Sequence, residues 1–308
     1  MIVYRELLTL EKDLGISVKT LYAVSNNIGK HYHHAVMPKK DGGERRLTVP
    51  DAVLKTIQRA IAENLLAYAP ISQYATAYAY GASIRKNALG HVGKKKLLKL
   101  DIQNFFDSIR YVTVKENVFP KEQFSEPIRI LLSTLCYYRE GLPQGAPSSP
   151  VISNIIMRDF DVRVGAWCDE RGITYTRYCD DMAFSGDFSE KEVISFVSME
   201  LKKEGFLLNR QKTVVVPSSQ RQSVTGVVVN QRLNVCREYK RKLRQEIFYI
   251  QKYGLKEHMT KLGIQKDEIS YLRELFGKIS FVLQLTPDDG QTKGQEALIR
   301  SLLRERSL

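Results

Sequence analysis

Two adjacent carboxylates, Asp180 and Asp181, sit where two β-like runs meet, and no other stretch constrains the fold as tightly. The run Ile173-Thr174-Tyr175-Thr176-Arg177-Tyr178 precedes the junction, with Cys179 between, and Met182-Ala183-Phe184-Ser185 follows, ending at Gly186. Aromatic and β-branched residues flanking turn-formers predict a hairpin. A turn holding two acids adds little to a core. It suits a divalent cation, because hard ions such as Mg²⁺ take carboxylate oxygens and keep positions open for phosphate. An Asp-Asp pair alone is more often an ordinary solvated turn, so its meaning depends on the rest of the chain.

Upstream lies Lys99-Leu100-Asp101-Ile102-Gln103-Asn104-Phe105-Phe106. Leu97, Leu98 and Leu100 form a short apolar run that predicts a buried strand over about 97–102, with Asp101 near its end. Burying an acid there is costly unless it is paired or holds metal. Between the two acid sites, Leu142-Pro143-Gln144-Gly145-Ala146-Pro147-Ser148-Ser149-Pro150 predicts a loop leading into a helix. Ser148 or Ser149 is the candidate N-cap, and Pro150 fits the first turn.

Taken in order, these segments resemble a reverse transcriptase. The shared pattern is a first Asp followed five residues later by an aromatic (Asp101, Phe106), a Pro-Gln-Gly loop (143–145) and Tyr-x-Asp-Asp (178–181). Gly205-Phe206-Leu207-Leu208-Asn209 with Lys212 resembles the next palm motif, and Lys39-Lys40, Arg45-Arg46 and Leu54-Lys55-x-Ile57-Gln58 resemble the fingers region. The likeness covers roughly residues 30–235. Two short elements point to retrons within that family: Asn87-Ala88-Leu89-Gly90-His91 matches their Asn-Ala-x-x-His, and Val224-Thr225-Gly226 their Val-Thr-Gly.

The resemblance implies an α+β right-hand polymerase, with fingers, an antiparallel palm sheet backed by helices, and a helical thumb. The expected boundaries are an N-terminal helical segment over 1–30, fingers over 31–96, palm over 97–235 with an interleaved fingers segment at about 111–150, and thumb over 236–308. It implies RNA-directed DNA polymerase activity with two Mg²⁺ ions, Mn²⁺ being a possible substitute. Asp101 and Asp180 would bridge the ions, Asp181 would complete the negative site, and the Ile102 carbonyl would be a further ligand. One ion activates the attacking hydroxyl and the other neutralises the triphosphate. Lys39 with Arg45 or Arg46 would hold the incoming triphosphate, Gln144 would line the nucleotide pocket, and Phe106 would sit under the sugar and exclude a 2′-hydroxyl. Asn87, His91, Val224, Thr225 and Gly226, with the basic residues Lys240, Arg241 and Arg244, would contact RNA.

A retron assignment further implies a cognate structured non-coding RNA, synthesis primed from an internal guanosine 2′-hydroxyl, and a branched RNA–DNA product (msDNA) used against phage with an operon-encoded effector protein. With no segment here resembling RNase H, an endonuclease or a maturase, RNA removal is expected to fall to host RNase H. Two other readings stand beside this one: a group II intron or diversity-generating reverse transcriptase, and a polymerase-like RNA-binding scaffold without activity.

Composition agrees with a polyanion substrate. The 308 residues carry 47 Lys and Arg against 34 Asp and Glu, a formal charge of +13. Such a field commonly serves to neutralise phosphate. No run of 18 apolar residues implies a membrane span, and Arg5, Glu6, Glu11, Lys12 and Asp13 interrupt any signal core. The four cysteines are scattered, which points to a reducing cytoplasm and to neither disulfides nor zinc. His31, His33 and His34 read as a polar strand or loop.

The remaining pattern is coarse. Residues 1–30 read as helical with Ser17 a cap, 35–49 as a hairpin turning at Asp41-Gly42-Gly43, and a helix follows Pro50 with Leu54, Ile57, Ile61 and Leu65 on one face. One long helix is expected from Pro150 to about Arg171, striped by Ile152, Ile156, Phe160 and Val164 and closed by Gly172. Ser189 and Glu192 suggest a capping box, opening a helix that ends at Gly205, and a strand is expected over 206–216. From about 236 the chain turns helical and basic.

Overall fold

The computed structural model describes residues 3–38 and 42–306; the side chains of Arg45 and Arg46 lie outside the described residues, as does Lys39 entirely. The chain forms two compact units, one of Met1–Ala82 and Leu98–Val215, the other of Ser83–Leu97 and Val216–Leu308.

In the first unit, helices Leu7–Leu14 and Val18–Asn26 open the chain, and the Ser17 hydroxyl accepts the Thr20 N–H at 3.2 Å as the expected cap. Strands β1 (Tyr32–Pro38) and β2 (Glu44–Pro50) then pair antiparallel, Tyr32 opposite Pro50 and Pro38 opposite Glu44. Asp51 caps helix Ala52–Ala60 by accepting the Leu54 N–H at 2.9 Å, and it also meets His31 at 2.8 Å. Leu54, Ile57 and Ile61 are buried as the 3.6-residue period requires, whereas Leu65 is only half-buried, because residues 61–65 widen into a π-turn.

The sheet that matters runs in the order β4-β5-β3-β6, with β3 at Lys96–Asp101, β4 at Thr174–Tyr178, β5 at Asp181–Gly186 and β6 at Val214–Pro217. β4 and β5 form the predicted antiparallel hairpin. Helices Ser149–Ile156, Arg158–Asp169 and Glu190–Lys203 supply Ile152, Ile156, Phe160, Val164, Val193, Val197 and Leu201 to one core shared with Leu98, Leu100 and Phe184. Each such side chain contributes on the order of 1.5–3 kcal/mol when fully buried.

Four local expectations are corrected. The long helix is two helices broken at Met157, yet its apolar stripe is buried as expected and Gly172 takes the left-handed conformation that ends it (φ 64°). Ser148 stands at the N-cap without a capping bond, because its backbone is already helical, and the Ser149 hydroxyl turns back to the Pro143 carbonyl at 2.8 Å. The Ser189–Glu192 box does not form; the helix starts with Glu190 and Glu192 against its positive end instead. The 206–216 strand is shorter, since residues Arg210–Lys212 curl into a 3-10 turn before β6.

The second unit holds helix Ile84–Leu89, the two-residue strands β7 (Ser223–Val224) and β8 (Val227–Val228), and helices Arg237–Tyr253, Leu255–Lys261, Glu268–Leu285 and Gly290–Glu305. Asp267 and Asp289 cap the last two by accepting the Ser270 and Thr292 N–H groups. Its core draws on Leu243, Ile247, Leu272, Leu275, Ile279, Val282 and Ile299. No described helix is long and apolar enough to cross a membrane.

Candidate active site

Tyr178 pairs with Asp181 across the β4–β5 hairpin, leaving Cys179-Asp180 as a two-residue turn. Cys179 adopts φ 61°, a left-handed conformation that residues with a Cβ rarely take. Asp101 ends β3, next to β5 in the sheet. The Ile102 N–H donates to the Asp180 carbonyl at 3.1 Å, which ties the end of β3 to the turn. On its other side, Gln103 N–H donates to the Leu207 carbonyl at 2.8 Å and Asn209 N–H to the Asp101 carbonyl at 2.8 Å. The backbone thus draws together three segments that are far apart in sequence.

The side chains follow. Asp101 is buried, and its carboxylate accepts from the Asn209 amide at 3.1 Å and the Lys212 ammonium at 2.8 Å. Lys212 is held above the ordinary lysine pKa, first by that hydrogen bond to Asp101 and then, after the opposing effect of burial, by the charges of Asp101, Asp180 and Asp181. Asp181 is pushed up to about 6, first by lost hydration and then by the charges of Asp180 and Asp101. Mutual repulsion among three carboxylates, with one ammonium drawn onto them, is the electrostatic signature of a cation site. Among the described residues the side chains do not themselves close into a group of three or more ligands; the donor set fits a hard divalent ion by its chemistry.

The other predicted residues fall as follows. Phe106 is half-buried with its ring 5.3 Å from Phe105, and its carbonyl accepts the Leu142 N–H at 2.9 Å, so it adjoins the Pro-Gln-Gly loop. Gln144 is exposed. Gly145 N–H donates to the Thr48 carbonyl at 3.2 Å, which seats that loop on β2, the strand carrying Arg45 and Arg46.

In the second unit, Asn87 and His91 are buried, and His91 lies past the end of helix Ile84–Leu89 and not on it. Burial, and then Lys94, lower the His91 pKa to about 4, so it is neutral at pH 7. The Asn87 amide donates to the Thr225 hydroxyl at 3.2 Å. The Asn87 and His91 side chains therefore build the unit's interior and do not face solvent. Thr225 and Gly226 make the turn between β7 and β8, with φ 45° and 84°, while Val224 is buried. Lys240 is paired with Asp289 at 2.7 Å, whereas Arg241 and Arg244 are exposed on the same helix.

Two pairs of functional residues are not evident in the sequence. Lys212 and Asn209 stand in the sequence only as part of a motif; the grip of Lys212 on Asp101 depends on the 3-10 turn, and that of Asn209 on its backbone bond to Asp101. Arg177 and Asp161 were missed, although Arg177 stands on the inward side of β4 between Tyr175 and Cys179, where alternation demands a buried residue and hence a partner.

The family model for reverse transcriptase (RNA-dependent DNA polymerase) matches residues 37–272. The retron Mx65 reverse transcriptase of Myxococcus xanthus is 30% identical over 90% of this chain and 68% of its own length. The retron Mx162 reverse transcriptase of the same organism is 31% identical over 92% and 64%, and the Escherichia coli retron Ec86 reverse transcriptase 31% over 78% and 77%. The chain thus spans about two thirds to three quarters of the length of these three relatives. It belongs to the reverse transcriptases, RNA-directed DNA polymerases, and within them to the retron enzymes. The group II intron, diversity-generating and inactive-scaffold readings lose their ground here.

Proposed function

We propose that this reverse transcriptase copies a cognate structured non-coding RNA into DNA, starting from the 2′-hydroxyl of an internal guanosine and leaving branched msDNA. The observation that carries the catalytic part is the junction of Asp101 with the Asp180-Asp181 turn through the Ile102–Asp180 backbone bond. Two Mg²⁺ ions held by Asp101, Asp180, Asp181 and the Ile102 carbonyl, with Mn²⁺ able to substitute, would activate the attacking hydroxyl and offset the charge of the departing pyrophosphate. Lys212 orients the Asp101 carboxylate before the nucleotide arrives. Phe106 and Gln144 bound the nucleotide pocket, and Lys39 with Arg45 or Arg46 holds the incoming triphosphate. Thr225, Gly226, Arg241 and Arg244 contact the RNA, with Lys240 beside them, and Asn87, His91 and Val224 fix that surface from inside.

In polymerase terms, residues 1–30 are an N-terminal segment, 31–96 fingers, 97–235 palm with the 111–150 fingers insertion, and 236–308 thumb. The biological part is what a retron assignment implies: work in the cytoplasm with an operon-encoded effector protein in defence against phage, with host RNase H trimming the hybrid. The test is to co-express the chain with its flanking RNA, purify it, and sequence the bound nucleic acid before and after treatment with a 2′,5′-debranching enzyme. A branch at a single guanosine, absent with Asp180→Asn, is the expected result. Linear DNA only, or none from wild type, overturns the proposal.

A further inference from the structure

Arg177 and Asp161 form an ion pair from which solvent is wholly excluded. The guanidinium donates from Nε to Asp161 Oδ1 at 2.8 Å and from Nη2 to Oδ2 at 2.5 Å. Its remaining nitrogen, Nη1, donates to the Cys179 carbonyl at 2.9 Å and to Asn154 Oδ1 at 3.2 Å. The assembly is anchored all round. The Tyr175 hydroxyl donates to Asp161 at 2.8 Å, and the Asn154 amide donates to the Ala77 carbonyl at 2.7 Å. The backbone of Arg177 is gripped as well: its N–H donates to Tyr74, and its carbonyl accepts from the N–H and hydroxyl of Thr76 at 2.8 and 2.9 Å.

Stability does not account for this pair. A buried ion pair is costly to desolvate, and apolar residues of similar volume often serve a fold as well or better. What an apolar pair cannot do is bind two things at once. The planar fork spends one edge on Asp161 and turns the other to the carbonyl of Cys179, the residue whose left-handed backbone makes the turn. A non-glycine residue in that region is strained and persists only where its surroundings over-determine it.

We propose that Arg177 is a positioning residue: fixed by Asp161, it holds the Cys179 carbonyl and so sets the left-handed turn that presents Asp180 and Asp181. The proposal rests on reading those two carboxylates as the reacting centre. Arg177 touches neither substrate nor metal; it acts through the backbone of Cys179.

The test uses the full chain and an annealed primer–template. The double variant Arg177→Met with Asp161→Asn removes both charges together, and Asn keeps an acceptor for Tyr175. Melting temperature, primer–template affinity, extension kcat, KM for deoxynucleotide, and binding of Mn²⁺ alone by electron paramagnetic resonance are measured. The expected result is a lower melting temperature, since the Cys179 carbonyl and Asn154 lose a buried donor, in a variant that is still folded at the assay temperature and keeps a primer–template affinity close to wild type, with kcat at least 10-fold lower and weaker Mn²⁺ binding. Unchanged kcat and Mn²⁺ binding overturn the proposal, as does a loss of kcat matched by an equal loss of primer–template affinity. If the double variant does not fold, Arg177→Lys carries the test. Lysine keeps a charge opposite Asp161 but carries its donors on one nitrogen, which cannot span Asp161 and the Cys179 carbonyl as the fork does, so the same kcat and Mn²⁺ losses are expected, and wild-type values overturn the proposal. Asp180→Asn is run in parallel: if it extends normally, the catalytic reading fails whatever the Arg177 variants do.

Discussion

The Asn87 amide and the Thr225 hydroxyl, 138 residues apart in the chain, are hydrogen-bonded at 3.2 Å. The bond joins the two short elements by which this sequence resembles retron enzymes. It also supports Thr225, a β-branched residue at φ 45°, in a turn whose conformation favours Asn-Gly or Gly-Gly. Strain of this kind, on the order of 1–3 kcal/mol, is kept at functional sites. Asn87→Ala should therefore destabilise the protein by about 1–3 kcal/mol, since a buried partner is lost. Thr225→Asn should leave stability level or raise it, because Asn tolerates the left-handed region. Both should reduce self-primed synthesis on the cognate RNA several-fold while extension of an annealed primer on a generic template survives. The ratio of the two activities, taken at one salt concentration, decides the matter. A parallel fall in both activities assigns Thr225 to the fold alone.

Gly145 carries a second prediction. A Cβ there would lie 2.8 Å from the Thr48 carbonyl oxygen and 3.0 Å from the Val49 Cα, both backbone atoms that no rotamer change can move. Gly145→Ala must lift the Pro-Gln-Gly loop off β2, taking Gln144 with it. The expected result is a KM for deoxynucleotide raised about 10-fold, roughly 1.4 kcal/mol of lost binding, with a smaller effect on kcat. Steady-state kinetics showing kcat loss at constant KM would remove Gln144 from the nucleotide pocket.

Phe105 and Phe106 are neighbours with opposite expected roles. Phe105 is buried and packs its ring 5.5 Å from Phe206, whereas Phe106 is half-buried beside the Pro-Gln-Gly loop. Phe105→Ala should cost about 3–5 kcal/mol of stability and leave nucleotide selectivity alone. Phe106→Ala should lower discrimination against ribonucleotides at least 10-fold at modest cost in deoxynucleotide use. Competition between the two nucleotide types on one primer measures it, and an unchanged ratio places the sugar gate elsewhere.

The parts of the fold that were legible in sequence are those that local chemistry decides. The β4–β5 hairpin, the end of β3 at Asp101 and the Gly172 and Gly205 stops follow from period, turn residues and left-handed glycine. The helix break at Met157 did not, because no Gly or Pro marks it. Its surroundings are set by distant partners: Asn154 reaches Ala77, and Gly165 leaves room for the Tyr74 ring, which a Cβ would meet at 2.0 Å. The site was legible in its three acids and silent on the groups that hold them. Lys212 reaches Asp101 only through the 3-10 turn at 210–212, and the Arg177–Asp161 pair exists only once β4 lies on the helix Arg158–Asp169. The burial of Asn87 and His91 was equally invisible, since polar side chains at those positions read as surface.

The last prediction concerns pH and the acids themselves. Asp180→Asn and Asp181→Asn should each lower extension about a thousandfold or more, several kcal/mol of lost transition-state stabilisation. Activity alone does not show that the carboxylates repel one another; stability does. The Asp181 pKa is raised from 3.8 to about 6 in the folded chain. Between those values the folded state binds more protons than the unfolded one, so stability falls as pH rises through this window. The penalty is fully present above pH 6 and absent below 3.8. Asp181→Asn removes it. In EDTA at pH 8 the variant should melt above wild type by about 2–4 °C, roughly the shift that 1 kcal/mol produces in a chain of this size, a value reduced to allow for solvent screening. The gap should close as pH falls through 6 towards 4. Adding Mg²⁺ at pH 8 should raise the wild-type melting temperature and raise the variant's by less, because the ion stabilises the state that binds it and the variant keeps only Asp101 and Asp180 of the three acids. A gap that stays constant across pH, or equal Mg²⁺ stabilisation of both proteins, would mean that Asp181 neither feels Asp101 and Asp180 nor helps to hold the metal.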